Sequence, residues 1–382
     1  MADNHHQIYR LDIEVLSPLH IGTGNILRRD FEFGVHDNQT WVIDTDALAS
    51  EILDRGTSSA QWQTLLAGRP AVELLDADDY QPDGPLIRYS MRGTPRAQTT
   101  GSEIREMIKD AWDRPYLPGS SLKGALRTAF IVDAFEELGM TVDLNDLDER
   151  PKFAARNIER AIVAPRSEQK RAPNNDIFKA LQVSDSGPDT QKRMALITGA
   201  VYAGKETSIP VALECMPRGA TVSATLTLDQ MMLDRFGPER LNWDKDKQVK
   251  WIKNLRLRAN KLAYRHIQAE LRYWTERGIQ GLADFYQLRF AEMRKLQAEK
   301  DRTTFYTQVG WGTGWSSKTL GHILTADSAS LYRIVKRYER TMDLRRNYEQ
   351  GKAFPRSRKV VVEDDRMVAP FGWVRVTMDR VK

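Results

Sequence analysis

A short stretch of the chain, residues 118–128, combines a turn, two serines and two cations in a pattern suited to binding an anion such as phosphate. Pro118 and Gly119 indicate the turn, and Ser120 or Ser121 is suited to cap the helix that follows. Lys123 and Arg127 lie one helical turn apart, beside the unbonded N–H groups and the positive dipole of the helix start. The stretch therefore predicts an anion site, and the alternative is an ordinary capped helix with solvated basic residues.

The helix itself is predicted over residues 121–138, because an apolar residue recurs at every fourth position. These residues are Leu122, Leu126, Phe130 and Ala134. Gly124 lies inside the first turns, where a glycine costs about 1 kcal/mol relative to alanine. We expect another group to approach the backbone closely at Gly124.

Two further segments each contain Gly-Thr-Gly after a strand-like run. One is Gly22-Thr23-Gly24, which follows alternating residues at 9–15, and the other is Gly312-Thr313-Gly314, which follows the run at 305–309. Successive N–H groups in such a loop can point outward and form a nest for an anion. Two similar loops in the two halves of the chain indicate duplicated units.

The remaining pattern predicts a mixed α+β fold. Strands are predicted at 41–43, 221–228 and 374–378, helices at 46–53, 103–111 and 252–273, and loops at 81–101 and 167–191. His266 lies on the apolar stripe of the helix predicted at 252–273, so we expect it to be a partly buried, hydrogen-bonded histidine rather than a catalytic one.

Positive charge is concentrated near the C-terminus. The net charge is only +5, but residues 331–360 hold ten Lys or Arg and three Asp or Glu. Aromatic residues alternate with these cations, namely Tyr332, Tyr338, Tyr348 and Phe354. Cations that bind phosphates and rings that stack on bases favour RNA binding, and the alternative is a solvated helix face that keeps the protein soluble.

Composition excludes several classes of site. The single cysteine, Cys215, excludes an internal disulfide and a zinc site with several cysteines, and we expect it to be a small core residue. We expect no metal and no cofactor, because no cluster of His, Asp and Glu has ligand spacing. There is no apolar run of about 18 residues and no signal-peptide pattern, so we expect a cytoplasmic protein that does not enter a membrane.

These motifs together resemble the RAMP superfamily of CRISPR-associated RNA-binding proteins and, within it, the fifth subunits of type III-A Csm effector complexes. The segments that carry the resemblance are 19–24, 116–128, 176–178, 183–186, 309–319, 354–358 and 371–374. They span nearly the whole chain. The Pro-Gly-Ser-Ser box with its basic helix is typical of the superfamily, and the loop at 309–319 is typical of this subunit.

The resemblance implies two packed ferredoxin-like units, at 1–200 and 201–382, with insertions at about 54–115, 140–192 and 230–300. It implies a non-catalytic subunit that holds the 3′ part of the CRISPR RNA (crRNA), with target RNA and other Csm subunits, above all the adjacent backbone RAMP subunit, as partners. The RNA-binding residues that it implies are His20, Gly22, Thr23, Gly24, Gly119, Ser120, Ser121, Lys123, Gly124, Arg127, Gly312, Thr313, Gly314, Trp315, Ser317, Lys318, Arg356 and Arg358.

Three alternatives stay open from the sequence. Residues 312–319 match the phosphate loop of an NTPase except that Ser317 replaces its second glycine. A ribonuclease could use Asp30, Asp37 or Asp44, or one of the histidines His20, His36 and His322, although each histidine lacks a recognisable partner in the sequence. An equivalent subunit of the related Cmr complex would use the same loops.

Overall fold

The computed structural model describes residues 5–54, 70–82, 84–96, 102–150, 153–164, 172–189, 194–204, 210–338 and 354–381. The strands are β1 (His6–Val15), β2 (Gly22–Arg28), β3 (Phe33–His36), β4 (Gln39–Ile43), β5 (Ile87–Arg92), β6 (Glu103–Met107), β7 (Leu181–Val183), β8 (Ala195–Tyr202), β9 (Val211–Cys215), β10 (Thr221–Asp229), β11 (Thr304–Gln308), β12 (Arg358–Glu363), β13 (Arg366–Pro370) and β14 (Trp373–Arg380). The α-helices are α1 (Thr45–Asp54), α2 (Gly119–Glu137), α3 (Arg156–Val163), α4 (Gly237–Arg240), α5 (Lys250–Lys253), α6 (Leu255–Thr275), α7 (Gln280–Ala298), α8 (Gly321–Ala326) and α9 (Ser328–Tyr338). None of these helices is long and apolar enough to cross a membrane.

Within the described residues, one sheet has the strand order β11-β14-β1-β10-β7 with antiparallel pairing throughout. Strands β1, β7, β10 and β14, with α2 and α6 as the crossover helices, form the βαββαβ arrangement of a ferredoxin-like unit. The α+β prediction is therefore confirmed. This unit draws strands from both ends of the chain, and residue 200 lies inside β8, so the division of the chain at that residue stays a prediction.

Apolar and polar side chains alternate along the strands of this sheet, which explains why one of its faces is buried. Leu11, Ile13 and Val15 on β1 are almost completely buried, and their cross-strand partners on β10 include Ala224 and Val222. The apolar stripe of α2 packs into the same core. The predicted strands at 9–15, 221–228, 305–309 and 374–378, and the predicted helices over α2 and α6, are thus confirmed to within a few residues.

The second sheet, among the described residues, runs β2-β6-β9-β8-β5-β4-β3, with β12 pairing β8 and β13. Two predictions fail here. Residues 81–101 contain β5, and the helix predicted at 103–111 is replaced by β6. The apolar residues of that segment, Ile104, Met107 and Ile108, have spacings that fit a helix turn as well as a strand, and pairing of β6 with β2 and β9 decides for the strand.

The helix start differs from its prediction as well. Helix α2 begins at Gly119 with Pro118 in the N-cap position and no side-chain cap, rather than after a serine. The N–H of Gly119 donates to Oδ1 of Asp185 at 2.8 Å. A Cβ on Gly119 would lie 2.2 Å from the Val183 carbonyl oxygen, whereas a Cβ on Gly124 would meet nothing within 4 Å. The close backbone approach inside the chain therefore occurs at Gly119 and not at Gly124.

This difference predicts opposite effects of one substitution at two positions of the same helix. Gly119→Ala should lower the free energy of unfolding by about 1–3 kcal/mol or more, since the new methyl group overlaps a carbonyl oxygen. Gly124→Ala should raise it by about 0.5–1 kcal/mol, since alanine is the better helix former and has open space. Urea unfolding of the two variants checks both, and a shift of the same sign in both would contradict this account of the helix start.

Candidate nucleic-acid interface

The two Gly-Thr-Gly loops, far apart in sequence, lie against each other. The N–H of Trp311 donates to the His20 carbonyl at 2.8 Å. A Cβ on Gly310 would lie 2.4 Å from that same oxygen, and Gly310 has a φ of +82°. Gly372 joins the contact, because its N–H donates to the Pro18 carbonyl at 2.9 Å. We call residues 18–25, 309–318 and 371–373 the glycine junction.

The first loop is a bulge on an exposed edge of the second sheet. Strands β2 and β6 pair at Gly22 and again at Ile26, and the residues between them leave the regular register. Gly24 has a φ of +99°, and residues 22–26 are exposed. Thr23 and Asn25 both donate to the Glu106 carboxylate, at 3.1 and 2.9 Å. Burial opposes ionisation of Glu106, but these hydrogen bonds and the nearby Lys109 lower its pKa.

A buried ion pair supports this loop from beneath. The Glu214 carboxylate is fully buried and accepts from Lys109 Nζ at 2.6 Å, from the Tyr89 hydroxyl at 2.7 Å and from the Met107 N–H at 2.8 Å. Removing one member of such a pair leaves an uncompensated buried charge. The network therefore fixes the strand ends from which the first loop projects.

His20 lies in this support rather than at the surface. Its side chain is 2% exposed, and Nδ1 lies 2.7 Å from the Glu214 carbonyl oxygen, which can only accept a hydrogen bond. Burial lowers the pKa of His20, so the ring is neutral with its proton on Nδ1. A Cβ on Gly22 would lie 2.9 Å from Nε2. The imidazole thus packs beneath the loop and has almost no surface to offer a ligand.

The second loop closes on itself. Gly312 and Gly314 have φ values of +82° and +83°, in the left-handed region that favours glycine. Lys318 donates to the Gly310 carbonyl at 2.7 Å, and Ser317 donates to the Thr313 carbonyl at 2.8 Å. In a phosphate loop the lysine must reach the nucleotide phosphates. Here it bonds the loop's own backbone, and burial lowers its pKa, so the geometry does not favour the NTPase alternative.

Two cations lie near the indole of Trp311: Lys359, which belongs to the predicted basic segment at 331–360, and Arg105, which the sequence reasoning missed. Lys359 Nζ lies 4.2 Å and the Arg105 guanidinium carbon 6.0 Å from the ring centroid. Among the described residues, no carboxylate lies within 4.0 Å of Arg105, Lys359 or Lys318. Arg105 was missed because its segment reads as a helix, and only the register of β2 with β6 places it beside the first loop.

The cations at the start of α2 already have partners inside the chain. Lys123 donates to the Leu181 carbonyl at 2.6 Å, and burial lowers its pKa. Arg127 forms an ion pair with Asp176 at 2.7 Å and lies over the Phe178 ring. Lys123 and Arg127 are therefore partly buried. Of the residues predicted for this anion site, Ser120 and Gly124 are the exposed ones.

Helix α2 and the second loop nonetheless share a surface. Arg127, Trp315 and Lys318 line the same groove, which has a volume of about 930 Å³. The Trp315 ring packs edge-on against Phe354, with 4.8 Å between ring centroids. The two motifs that were predicted separately from sequence thus meet along one groove.

Part of the C-terminal basic segment lies outside the described residues, including Tyr348. Of its remaining members, Arg356 is exposed. Arg358 donates to the buried Glu270 carboxylate at 2.8 Å and lies 4.4 Å from the Tyr273 ring centroid. This pairing gives Arg358 a structural contact that an RNA phosphate would have to replace.

The aspartates considered for cleavage have structural contacts. Asp30 has a φ of +71° and pairs with Arg29 at 3.3 Å, Asp37 has a φ of +48° between β3 and β4, and Asp44 accepts from the Ala47 N–H at the start of α1. No group of three or more His, Cys, Asp or Glu residues among the described ones could hold a metal ion.

The expectation that His322 lacks a partner is wrong. Its Nε2 lies 3.1 Å from Nδ1 of His266, and burial lowers the pKa of both to about 3. The prediction of a hydrogen-bonded His266 is confirmed, and it is more deeply buried than expected, at 6% exposed. A general acid or base works best with a pKa near the operating pH. The pair is neutral at pH 7 and shows no such tuning. His36 stacks on Tyr80 instead.

The buried pair predicts a loss of stability in acid. Between pH 6.5 and 3 the unfolded chain takes up protons on these two histidines and the folded chain does not, so stability falls as pH falls, by up to about 1.4 kcal/mol per pH unit for each histidine. His322→Gln should flatten this dependence. Urea midpoints from pH 7 to 5 test this, and parallel curves for the wild type and the variant would contradict it.

Comparison with known proteins places these features in a family. The RAMP superfamily profile matches residues 12–315. The CRISPR system Cms protein Csm5 of Streptococcus thermophilus is 26% identical over 53% of this chain, and the match spans 58% of that relative. The Csm5 protein of Methanocaldococcus jannaschii is 23% identical over 96% of this chain and 88% of its own length.

Solved structures share the fold. A chain of a Csm–crRNA–target RNA ternary complex from a type III-A CRISPR-Cas system matches with a TM-score of 0.67 and 24% identity, over 96% of this chain and all of that one. T. onnurineus Csm5 matches with a TM-score of 0.64 and 22% identity, over 95% of this chain and 99% of that one. The profile covers well over half of the sequence, including both glycine loops and the start of α2, and the chain belongs to the RAMP superfamily.

Proposed function

We propose that this chain binds crRNA as a subunit of a type III-A CRISPR effector complex. Its relatives are named Csm5, and a structure with the same fold comes from a complex that contains crRNA and target RNA. The observation that carries the proposal is the glycine junction, where two loops with exposed left-handed glycines, Gly24 and Gly314, lie beside cations that have no carboxylate partner among the described residues.

The chemistry of the junction suits an RNA backbone. Glycines without side chains let a phosphate chain approach the protein backbone, and nearby Lys and Arg supply the charge. Gly22, Gly24 and Gly314 are exposed in this way, and Trp315 borders the groove that leads along α2. Contacts of this kind position the RNA without reading bases, so sequence preference should be weak.

The resemblance supports a finer assignment. We place the chain at the end of the complex, where it holds the 3′ part of the crRNA, contacts the adjacent backbone RAMP subunit and lies next to the passing target RNA. This position would let it define the length of the mature crRNA. The cytoplasm is the compartment that follows from the same resemblance.

We further propose that the subunit holds RNA without cutting it. The aspartates considered for cleavage have structural contacts: Asp30 forms an ion pair with Arg29, and Asp44 accepts a hydrogen bond at the start of α1. The buried His266 stays neutral. A cutting site would need a positioned group with a matched pKa at the RNA surface, and none of these side chains combines the two properties.

The retention of crRNA tests the binding role. Gly314→Val should lower crRNA retention in the assembled complex by roughly ten-fold, the effect of losing one charge-assisted contact, because a bulky residue fits poorly at a φ of +83° on the exposed loop. Gly139→Val is the matched control, since Gly139 has a φ of +60°, equally open space and a position at the far end of α2. Equal retention in both variants, or equal loss, would contradict the role of the loop.

Cleavage assays test the non-catalytic role. Complexes that carry Asp30→Ala or His36→Gln should cut complementary target RNA at the same positions as the wild type and at similar rates. Removal of a positioned acid or base typically costs about 10²-fold or more. Loss of one cleavage position with normal RNA occupancy would overturn the non-catalytic assignment.

A further inference from the structure

Arg105, Lys318 and Lys359 differ from the most deeply buried cations of the fold. Elsewhere the most buried cations have carboxylate partners, as in the pairs Lys109–Glu214, Arg258–Asp133 and Arg289–Glu292. These three cations have none among the described residues, although Lys359 is half-buried. Burial, together with the charges of Lys318 and Arg105, lowers the pKa of Lys359, so the ammonium of Lys359 lies close enough to both groups to be repelled by them.

The convergence is produced by the fold: Lys359 belongs to the basic run at 331–360, but Arg105 and Lys318 come from other parts of the sequence. Arg105 lies on β6, Lys359 on β12, and Lys318 in the second loop, and all three surround Trp311 or the backbone next to it. A charge run that only improves solubility points into water from one segment. Here cations from three separate segments lie around Trp311 and the backbone next to it, and Arg105 pairs with Ile26 at the end of the exposed bulge.

We propose that Arg105 and Lys359, together with Lys318, bind one phosphodiester group of a single-stranded RNA, with the Trp311 indole as the floor of the site. The Lys318 ammonium has three N–H donors, and its bond to the Gly310 carbonyl leaves two of them for a phosphate. The proposal rests on the proposed RNA-binding function and names residues that carry it. A tetrahedral phosphate offers acceptor oxygens in several directions, whereas a carboxylate offers two in one plane, so three cations from three directions fit the phosphate better. The exposed glycines of the bulge leave room for the neighbouring nucleotides.

Salt-dependent binding tests the site. The full chain is titrated with fluorescently labelled single-stranded RNA, by anisotropy, across a KCl series. Arg105→Gln/Lys359→Gln should bind at least about ten-fold more weakly at low salt, and the slope of log affinity against log salt should fall by about 0.7, the value of one phosphate contact on a single strand. Arg294→Gln/Lys245→Gln is the matched control, because it removes the same charge from exposed positions on α7 and before α5. It should keep the wild-type slope.

Thermal unfolding supplies a readout that separates binding from damage to the fold. Without ligand, the Arg105→Gln/Lys359→Gln variant should unfold at the wild-type temperature or above it, since mutual repulsion is removed. RNA should raise the Tm of the wild type more than that of this variant. A large drop in the Tm of the variant without RNA would overturn the proposal, because the cations would then be structural.

The source of the phosphate is distinguished by the choice of probe. Inorganic phosphate that raises the wild-type Tm as much as RNA does would indicate a free-phosphate site and overturn the phosphodiester assignment. The wild type could also prefer RNA that ends in a phosphate over RNA that ends in a hydroxyl. If the variant loses this preference, the phosphodiester assignment is overturned as well. Normal RNA binding by the variant with failed assembly of the complex would indicate a protein carboxylate as the ligand. Wild-type chain that binds no RNA would instead contradict the proposed function itself.

Discussion

Close main-chain contact at the glycine junction is the constraint on which the rest of the structure depends. The chain crosses between the two sheets several times, and two of these crossings, from β1 to β2 and from β13 to β14, lie in the junction. Backbone groups in such crossings lack the partners that a strand ladder provides and must find others. They bond one another here, through the Trp311 N–H to His20 and the Gly372 N–H to Pro18. The contact requires glycine at 310 and 372, where a Cβ would overlap a carbonyl oxygen.

The same contact explains how the proposed RNA-binding surface can be exposed and still be held in one shape. Beneath the first loop lie a buried ion pair and a buried neutral imidazole, and beneath the second lie Phe371 and the loop's own lysine bond. The outward side of each loop therefore needs no internal hydrogen-bond partner to hold its shape. A preorganised loop gives up little entropy when it binds, and this favours affinity from few contacts.

Prediction from sequence succeeded where a pattern is local and failed where a partner is distant. The alternation of β1 and β10 and the apolar stripe of α2 are properties of single segments, and the structure has them as predicted. Strand β6 is too short for its spacing to exclude a helix turn, and only pairing settles it. Lys123 bonds to the Leu181 carbonyl, and Arg127 pairs with Asp176. These partners lie about fifty residues further along the chain, and no local pattern predicts them. The site residues taken from the resemblance therefore divide into exposed loop positions and partnered ones.

The charged residues divide in a similar way. Some form ion pairs that hold the fold together, and others are cations without a carboxylate partner among the described residues. Arg358 forms an ion pair with Glu270, and Lys109 forms one with Glu214. Both pairs hold neighbouring elements in place. A chain that used all of its cations in this way would have a rigid fold and no electrostatic attraction for RNA. Where the fold instead collects cations that have no carboxylate partner among the described residues, the surface keeps a positive potential that attracts anions. In a protein of the RAMP superfamily, an RNA backbone is the polyanion that best matches such a surface, because its phosphates are closely spaced and carry one charge each.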